Sequence, residues 1–222
     1  MTDQPYHHGK LREALLARAR EVIEEAGVEG LSLRQLARDL GVSHAAPGKH
    51  FRDKQALLDA LALDGFRSMN ARITGASEAA GDRRPRFVGI ARAYVDFAVA
   101  HPVLLAVMHS TKHHPDASDE LRSIGEDGIR VARALIAEAQ DAGELAPGDS
   151  ERLALVCFVS LHGAAMLAAG NLLDGTSVDY LTLATTDLLW AGMVAGMPAP
   201  QVASGIGAGA APRDELGVMN PC

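Results

Sequence analysis

In the stretch GVSHAAPGKHF, residues 41–51, Ser43, His44, Lys49 and His50 stand close together with Ala45 and Ala46 between them. A hydroxyl, two imidazoles and an ammonium on so short a segment suit hydrogen bonding to phosphate oxygens and base edges. The alanine methyls suit contact with thymine methyls. Ser32, Arg34 and Gln35 lie one short element upstream and add candidate phosphate donors. Lys54 lies just downstream, in the first turn of a predicted helix, where backbone N–H groups also attract phosphate. Taken singly, each of these side chains also reads as a solvated surface group, and His50 alternatively sits within its own module.

Other clusters carry less. In MHSTKHHPD, His109 and His113 are four residues apart, which suits a metal if they share a helix, and His114 and Asp116 add further ligands. Pro115 and the polar composition instead point to a helix end or loop, and no thiolate cluster accompanies them. Hence no metal or cofactor is expected. His162 is a polar ring within an apolar run and needs a partner, either a buried protein group or a ligand. No nucleophile elbow, phosphate-cradling glycine loop or zinc-protease helix occurs. The glycine-rich SGIGAGA lacks a strand before it and a helix after it. An enzyme is therefore not expected.

Helical periodicity dominates the elements that must position these groups. Leu11, Leu15, Leu16, Ala19, Val22, Ile23 and Ala26 form one stripe over residues 10–26, closed by Gly27. Ser32 is an N-cap, and Gln35 three residues on completes a capping box. Leu33, Leu36, Ala37 and Leu40 give the following short helix a buried face, and Gly41 ends it. Ser43 is a second N-cap, so a third short helix is expected from His44 to about Phe51. Asp53 caps a fourth, which carries Leu57, Leu58, Leu61, Leu63 and Phe66. Two short helices joined by Gly-Val-Ser match a helix–turn–helix, whose second helix presents its first residues to the major groove. Pro47 and Gly48 weaken that second helix: proline removes an amide donor, and glycine in a helix interior costs about 1 kcal/mol relative to alanine. The pair predicts a short, 3₁₀-like segment.

Together, the capped helix and LSLRQLARDLGVSHAAPGKHFRDKQALLDAL resemble the N-terminal domain of the TetR family of bacterial transcriptional repressors over about residues 6–66. The prefix YHHGKLREALL is similar to the subset whose recognition segment reads GVSHAAP. Further on, FVSLHGAAML resembles a ligand-domain segment of a TetR subgroup, with Phe158 where that pattern usually has Trp, then His162 and Gly163. The resemblance implies a homodimeric repressor released from a palindromic DNA operator by a small, mostly apolar effector. TetR-like recognition helices usually carry Tyr where this chain has Gly48, so the resemblance also leaves open a helical ligand-binding dimer with weak or lost operator binding.

The chain has 222 residues and a formal charge of −7, which at first argues against nucleic acid. The first 67 residues are neutral, with 10 Lys+Arg against 10 Asp+Glu, so the whole excess of acid lies on the remainder. A neutral, basic-studded module on an acidic body suits phosphate contact. Two cysteines, Cys157 and Cys222, form no framework, and the N-terminus has no apolar core of a signal peptide; a reducing cytoplasm is expected.

Beyond a soft stretch, GASEAAGDRRP, helices are predicted near residues 84–100, 102–110, 116–142, 151–173 and 178–195, with no strand alternation. The expected fold is all-α, with a three-helix helix–turn–helix domain and a larger C-terminal helical bundle. The expected division is residues 1–68 for DNA binding, with a fourth helix linking from about 53, and 69–197 for ligand binding and dimerisation. An irregular tail is expected over 198–222. Residues 153–173 contain no charged residue, which is long enough to cross a membrane. His162 and Asn171 are expensive in lipid, the next apolar stretch carries Asp179 and Asp187, and no basic flank sets an orientation. A helix buried on several sides at a dimer interface fits better. Gly163, Ala164, Gly170, Leu188 and Trp190 are the candidate interface residues. Phe87, Tyr94, Phe97, Met108, Phe158, His162, Met166 and Trp190 are the candidate pocket residues, with ordinary core as the alternative for each.

Overall fold

A computed structural model describes residues 8–196, and within them the regular structure is helical. The tail over 198–222 and the start of the YHHGK prefix lie outside the described residues. Helix α1, His8–Ala26, buries the predicted stripe from Leu11 to Ile23, with Leu15, Ala19 and Ile23 wholly out of solvent, whereas Ala26 in its last turn is exposed. Gly27 turns the chain at φ 71°. Helix α2, Leu33–Asp39, starts where Ser32 Oγ accepts the Gln35 amide at 3.1 Å. Only half of the expected capping box forms, because the Gln35 side chain turns forward to Asp39 and Arg38.

Helix α3, Lys54–Ser77, is capped by Asp53, whose carboxylate accepts the Ala56 amide at 2.8 Å. It runs unbroken through residues 68 and 69. It packs on α1 and also on α4, Arg83–Ala100, α5, Pro102–Lys112, and α6, Asp119–Asp141. One rod thus joins the first module to the body. The soft GASEAAGDRRP stretch is partly this helix's last turn.

Between α4 and α5 the chain bends by 103° at His101, and Pro102 opens α5, where its missing N–H costs nothing. The next two amides of α5, from Val103 and Leu104, donate to the Glu24 carboxylate of α1 at 3.3 and 3.0 Å. Helix α6 begins three residues later than expected because Ser118, not a residue near Asp116, provides the cap. Helices α7, Ser150–Ala169, and α8, Val178–Ala195, complete the body, and α7 packs on α4, α6 and α8. Helix α7 stops before the expected residue 173: Asn171 and Asp174 adopt φ of 55° and 47°, which no helix continues. Among the described residues, one cluster of buried side chains runs from Leu11 to Met193.

Candidate nucleic-acid interface and internal cavity

The chain reverses after α2 through backbone bonds alone. Val42 N–H donates to Ala37 O at 2.9 Å and Gly41 N–H to Arg38 O at 3.1 Å, with Gly41 at φ 64°. This pair of bonds is a Schellman motif, and a left-handed residue there explains the glycine. Arg18 of α1 pairs with Asp39 at the end of α2 at 2.9 Å, and this guanidinium, aided by Gln35, holds the Asp39 carboxyl below the usual carboxylate range.

The segment after this reversal is shorter than the helix expected over 44–51 and takes the 3₁₀ form that the Pro47–Gly48 pair predicts. Residues 44–46 form a turn in which the Ala46 amide donates to Ser43 O at 2.9 Å, and Pro47–Lys49 forms a single 3₁₀ turn. Pro47 has no amide to give to Ser43, so the α-helical bond at that point cannot form. Instead the His50 and Phe51 amides both donate to Pro47 O at 2.9 Å. Ser43 therefore contributes its carbonyl, not a side-chain cap. Pro47 and Phe51 point inward and are buried, with the Arg12 guanidinium 5.5 Å over the Phe51 ring. Ser43, His44, Ala45, Gly48 and Lys49 are left exposed.

The other candidates divide. Ser32 and Arg34 are exposed. Ala46 is half-buried against the core, and His50 is half-buried with its ring 6.5 Å from Phe51. Gln35 is half-buried and engaged with its own helix. Lys54 is turned inward: its ammonium donates to Val28 O at 2.6 Å and ties the start of α3 to the α1–α2 loop. That bond gives Lys54 a structural task that its place in a first helical turn did not reveal.

Between the helices of the body lies a cavity of about 320 Å³ that opens to the surface beside His113, Glu126 and Leu155. Phe66, Met69 and Ile73 of α3, Phe87, Ile90, Ala91 and Tyr94 of α4, Ile129 and Ala132 of α6, and Ala154, Leu155, Cys157, Phe158 and Leu161 of α7 line most of it. Its polar lining comes from His109 and Lys112 of α5, His113 just past its end and Glu126 of α6, beside Gly125. Gly125 leaves room there for the Lys112 side chain, which a Cβ would meet at 2.5 Å and whose ammonium donates to Gly125 O at 3.1 Å.

Of the predicted pocket residues, Phe87, Tyr94 and Phe158 are in this lining. His162 stands beside it, stacked on Phe158 at 5.5 Å, with its Nδ1 2.6 Å from the Tyr94 hydroxyl, so its partner is a protein group. Burial lowers the His162 pKa and raises that of Tyr94. The remaining four lie outside the lining. Phe97 is held between His101, 5.2 Å away, and the Arg72 guanidinium. Met108 fills the space left by Gly65, its sulfur 2.6 Å from where a Cβ would sit. Met166 is half-buried against the core, and Trp190 backs Phe87 at 5.4 Å.

Sequence reasoning missed the α3 wall and the role of His109. Phe66, Met69 and Ile73 recur at helical spacing, which marks a buried face but not what it faces. His109 touches the rings of Phe66, Phe158 and His162 at 5.6–6.3 Å, and burial, then the His162 ring, pushes its pKa down to about 4. Cys157 is also buried, and its thiol is pushed up to about 11, so it is inert at neutral pH. Among the described residues no group of three or more His, Cys, Asp or Glu side chains is placed to hold a metal ion.

Among the described residues seven large apolar side chains remain exposed, and all belong to α7, α8 or the loop between them. Leu155, Val159 and Leu167 continue through Gly163 as one stripe of α7 at four-residue spacing, and Leu188 of α8 is 76% exposed. By length and composition α7 is also apolar enough to cross a membrane. Of the five predicted interface residues, Gly163, Gly170 and Leu188 are exposed, whereas Ala164 and Trp190 turn inward and are buried by the chain's own core.

An exposed helix–turn–helix motif whose second helix is cut to a 3₁₀ turn, on a helical body with a cavity, defines a class of protein: a nucleic-acid-binding head carried by a ligand-binding body. Residues 15–61 match the bacterial regulatory proteins of the tetR family, and residues 87–191 match the tetracyclin repressor-like C-terminal domain. The chain belongs to the TetR family of transcriptional regulators. A solved structure of a protein of unknown function from Rhodococcus sp. RHA1 is 52% identical, with a TM-score of 0.81 over 86% of this chain and all of that one. The class C tetracycline repressor of Escherichia coli is 51% identical over 51 residues, 23% of each chain. The class D repressor of the same organism is 29% identical over 128 residues, 57% of this chain and 59% of the relative. The matches thus span from about a quarter to somewhat over half the length of these curated relatives.

Proposed function

We propose that the protein is a homodimeric transcriptional repressor that holds a palindromic operator and releases it when a small, mostly apolar molecule enters the cavity. Residues 1–68 act as the DNA-binding head and 69–197 as the effector and dimer domain, with α3 as the shared rod. The carrying observation is the exposed Ser43–Lys49 segment, presented by the Schellman reversal and pinned from beneath by Pro47 and Phe51. In this position His44 and Ala45 meet base edges, while Ser43, Lys49 and Arg34 meet phosphates. Ser32, Gln35 and His50 border that contact. The repressors among the curated relatives support the direction of control. A regulator of this kind works where the chromosome is, so its compartment is the cytoplasm.

One such head buries too little surface for specificity, and the apolar stripe of α7 with Leu188 of α8 supports pairing of two copies. Two heads then meet half-sites about 34–36 Å apart or at a multiple of that spacing. Titration of the purified protein against the DNA upstream of its own gene is expected to give a sequence-selective gel shift that weakens steeply with salt. A shift that competitor DNA abolishes equally well, or none at micromolar protein, contradicts the proposal. Gly48 is compatible with operator binding, since its loss of a side chain removes one anchor and leaves the exposed segment otherwise intact.

Release requires that the cavity and the head move together, and Glu24 supports a path. Its carboxylate holds the first free amides of α5, the helix whose other end brings His109 to the cavity. Glu24→Ala is expected to cost about 1 kcal/mol of stability, the usual effect of losing a helix cap. Its larger expected effect is on coupling: effector still binds, but its ability to dissociate the operator complex falls severalfold. Gel shifts with and without effector measure this, and unchanged release rules Glu24 out of the path.

A further inference from the structure

We propose that the cavity recognises a compact apolar molecule through a single uncharged hydrogen-bonding group, a hydroxyl or a carbonyl, seated on His109 Nε2. This inference rests on the effector role of the cavity proposed above and narrows it to a ligand class. His109 Nε2 is out of solvent and has no hydrogen-bond partner, although its ring helps line the cavity. Such an atom is costly to leave unmade and inexpensive to satisfy with a ligand group.

Every other polar group near it is engaged or peripheral. Tyr94 and His162, from α4 and α7, are bonded to each other. Lys112, a turn further along α5, spends a donor on Gly125 O. His113, just past the end of α5, and Glu126 of α6 line the cavity but are exposed.

The setting of Nε2 disfavours an acid as the group seated on it. A carboxylate against Nε2 would give up its own water among the rings of Phe66, Phe158 and His162, with at most a single N–H of a neutral imidazole in exchange. An ammonium ligand finds no free carboxylate inside, because Glu126 is at the exposed edge. A neutral imidazole, by contrast, meets a hydroxyl or a carbonyl according to its tautomer, without moving a proton from solvent. The rest of the wall is apolar and supplies affinity without direction, so the single polar contact sets discrimination.

The test is calorimetric titration of the full-length protein, without DNA, with three matched probes: biphenyl, 4-phenylphenol and biphenyl-4-carboxylate. The phenol is expected to bind about tenfold or more tightly than biphenyl, the worth of one well-made buried hydrogen bond. The carboxylate is expected to bind more weakly than the phenol. Phenol affinity is expected to stay flat between pH 6 and 8, because His109 is neutral throughout that window. His109→Phe keeps the ring volume and should retain biphenyl binding while erasing the hydroxyl preference, and His109→Gln should keep part of it.

The proposal is overturned if the carboxylate binds tightest, if the phenol shows no advantage, if that advantage survives in His109→Phe, or if none of the three binds. A failed operator shift would sink the repressor reading alone, since these affinities are read without DNA.

Discussion

Replacing Val159 and Leu188 together with aspartate yields a folded monomer that no longer shifts operator DNA at concentrations where the parent protein does. Both side chains are more than half exposed in one chain, 60% and 76%, so charge there costs the monomer little. In the proposed dimer they would lie within an apolar contact, where two uncompensated carboxylates per chain are prohibitive. Gly163 and Gly192 support close approach of the facing helices, since nothing stands within 4 Å of where their Cβ atoms would be. Two linked heads gain about 10²- to 10⁴-fold in apparent affinity over one, and the monomer forfeits that factor. Analytical ultracentrifugation with a parallel gel shift measures both parts. A double variant that remains dimeric moves the interface elsewhere on the chain.

The second large effect runs the other way: Gly48→Tyr raises operator affinity about tenfold. Gly48 is exposed, a Cβ at this position meets nothing within 4 Å, and its φ lies outside the left-handed region, so a side chain is accommodated without strain. Glycine at this point carries excess freedom in the unbound head, and its replacement recovers about 0.4–1 kcal/mol. A phenol hydroxyl that reaches a phosphate adds about one net hydrogen bond, roughly 1 kcal/mol. Tyrosine is uncharged, so the slope of affinity against salt should remain that of the parent. Affinity that is unchanged or lowered would mean that residue 48 does not face the duplex.

Local signals made much of the head legible. Ser32, Gly41 and Asp53 each act where their side chain, or lack of one, dictates a cap or a left-handed turn. These devices operate within a few residues, so a sequence displays them whole. The segment over 44–51 was harder, because two residues compete with the helical pattern around them. Pro47 withdraws the bond to Ser43, Gly48 adds no propensity, and the chain settles for a turn and a 3₁₀ turn.

The cavity was legible in part. Phe87, Tyr94 and Phe158 lie on helices whose apolar faces meet, and their types were enough to nominate them. The same types at Phe97, Met108 and Trp190 pack elsewhere, because which side of a nearly all-apolar helix faces a void depends on its neighbours. Met108 goes under Gly65, 43 positions away, and no periodicity reports that. Glu24 is further removed still, since its partner amides are 79 and 80 residues along the chain. Ala164 looked available for a partner because it is small, and smallness serves its own core equally well.

Selection of binding sites from a random DNA pool, run in parallel with the parent protein and with His44→Ala, tests the central assignment most directly. The parent is expected to enrich an imperfect palindrome. The variant should enrich one that has lost preference at the same one or two base pairs in each half-site and nowhere else. If the parent enriches no sequence, or both proteins enrich identical ones, the exposed segment after α2 is not the part of this protein that reads DNA.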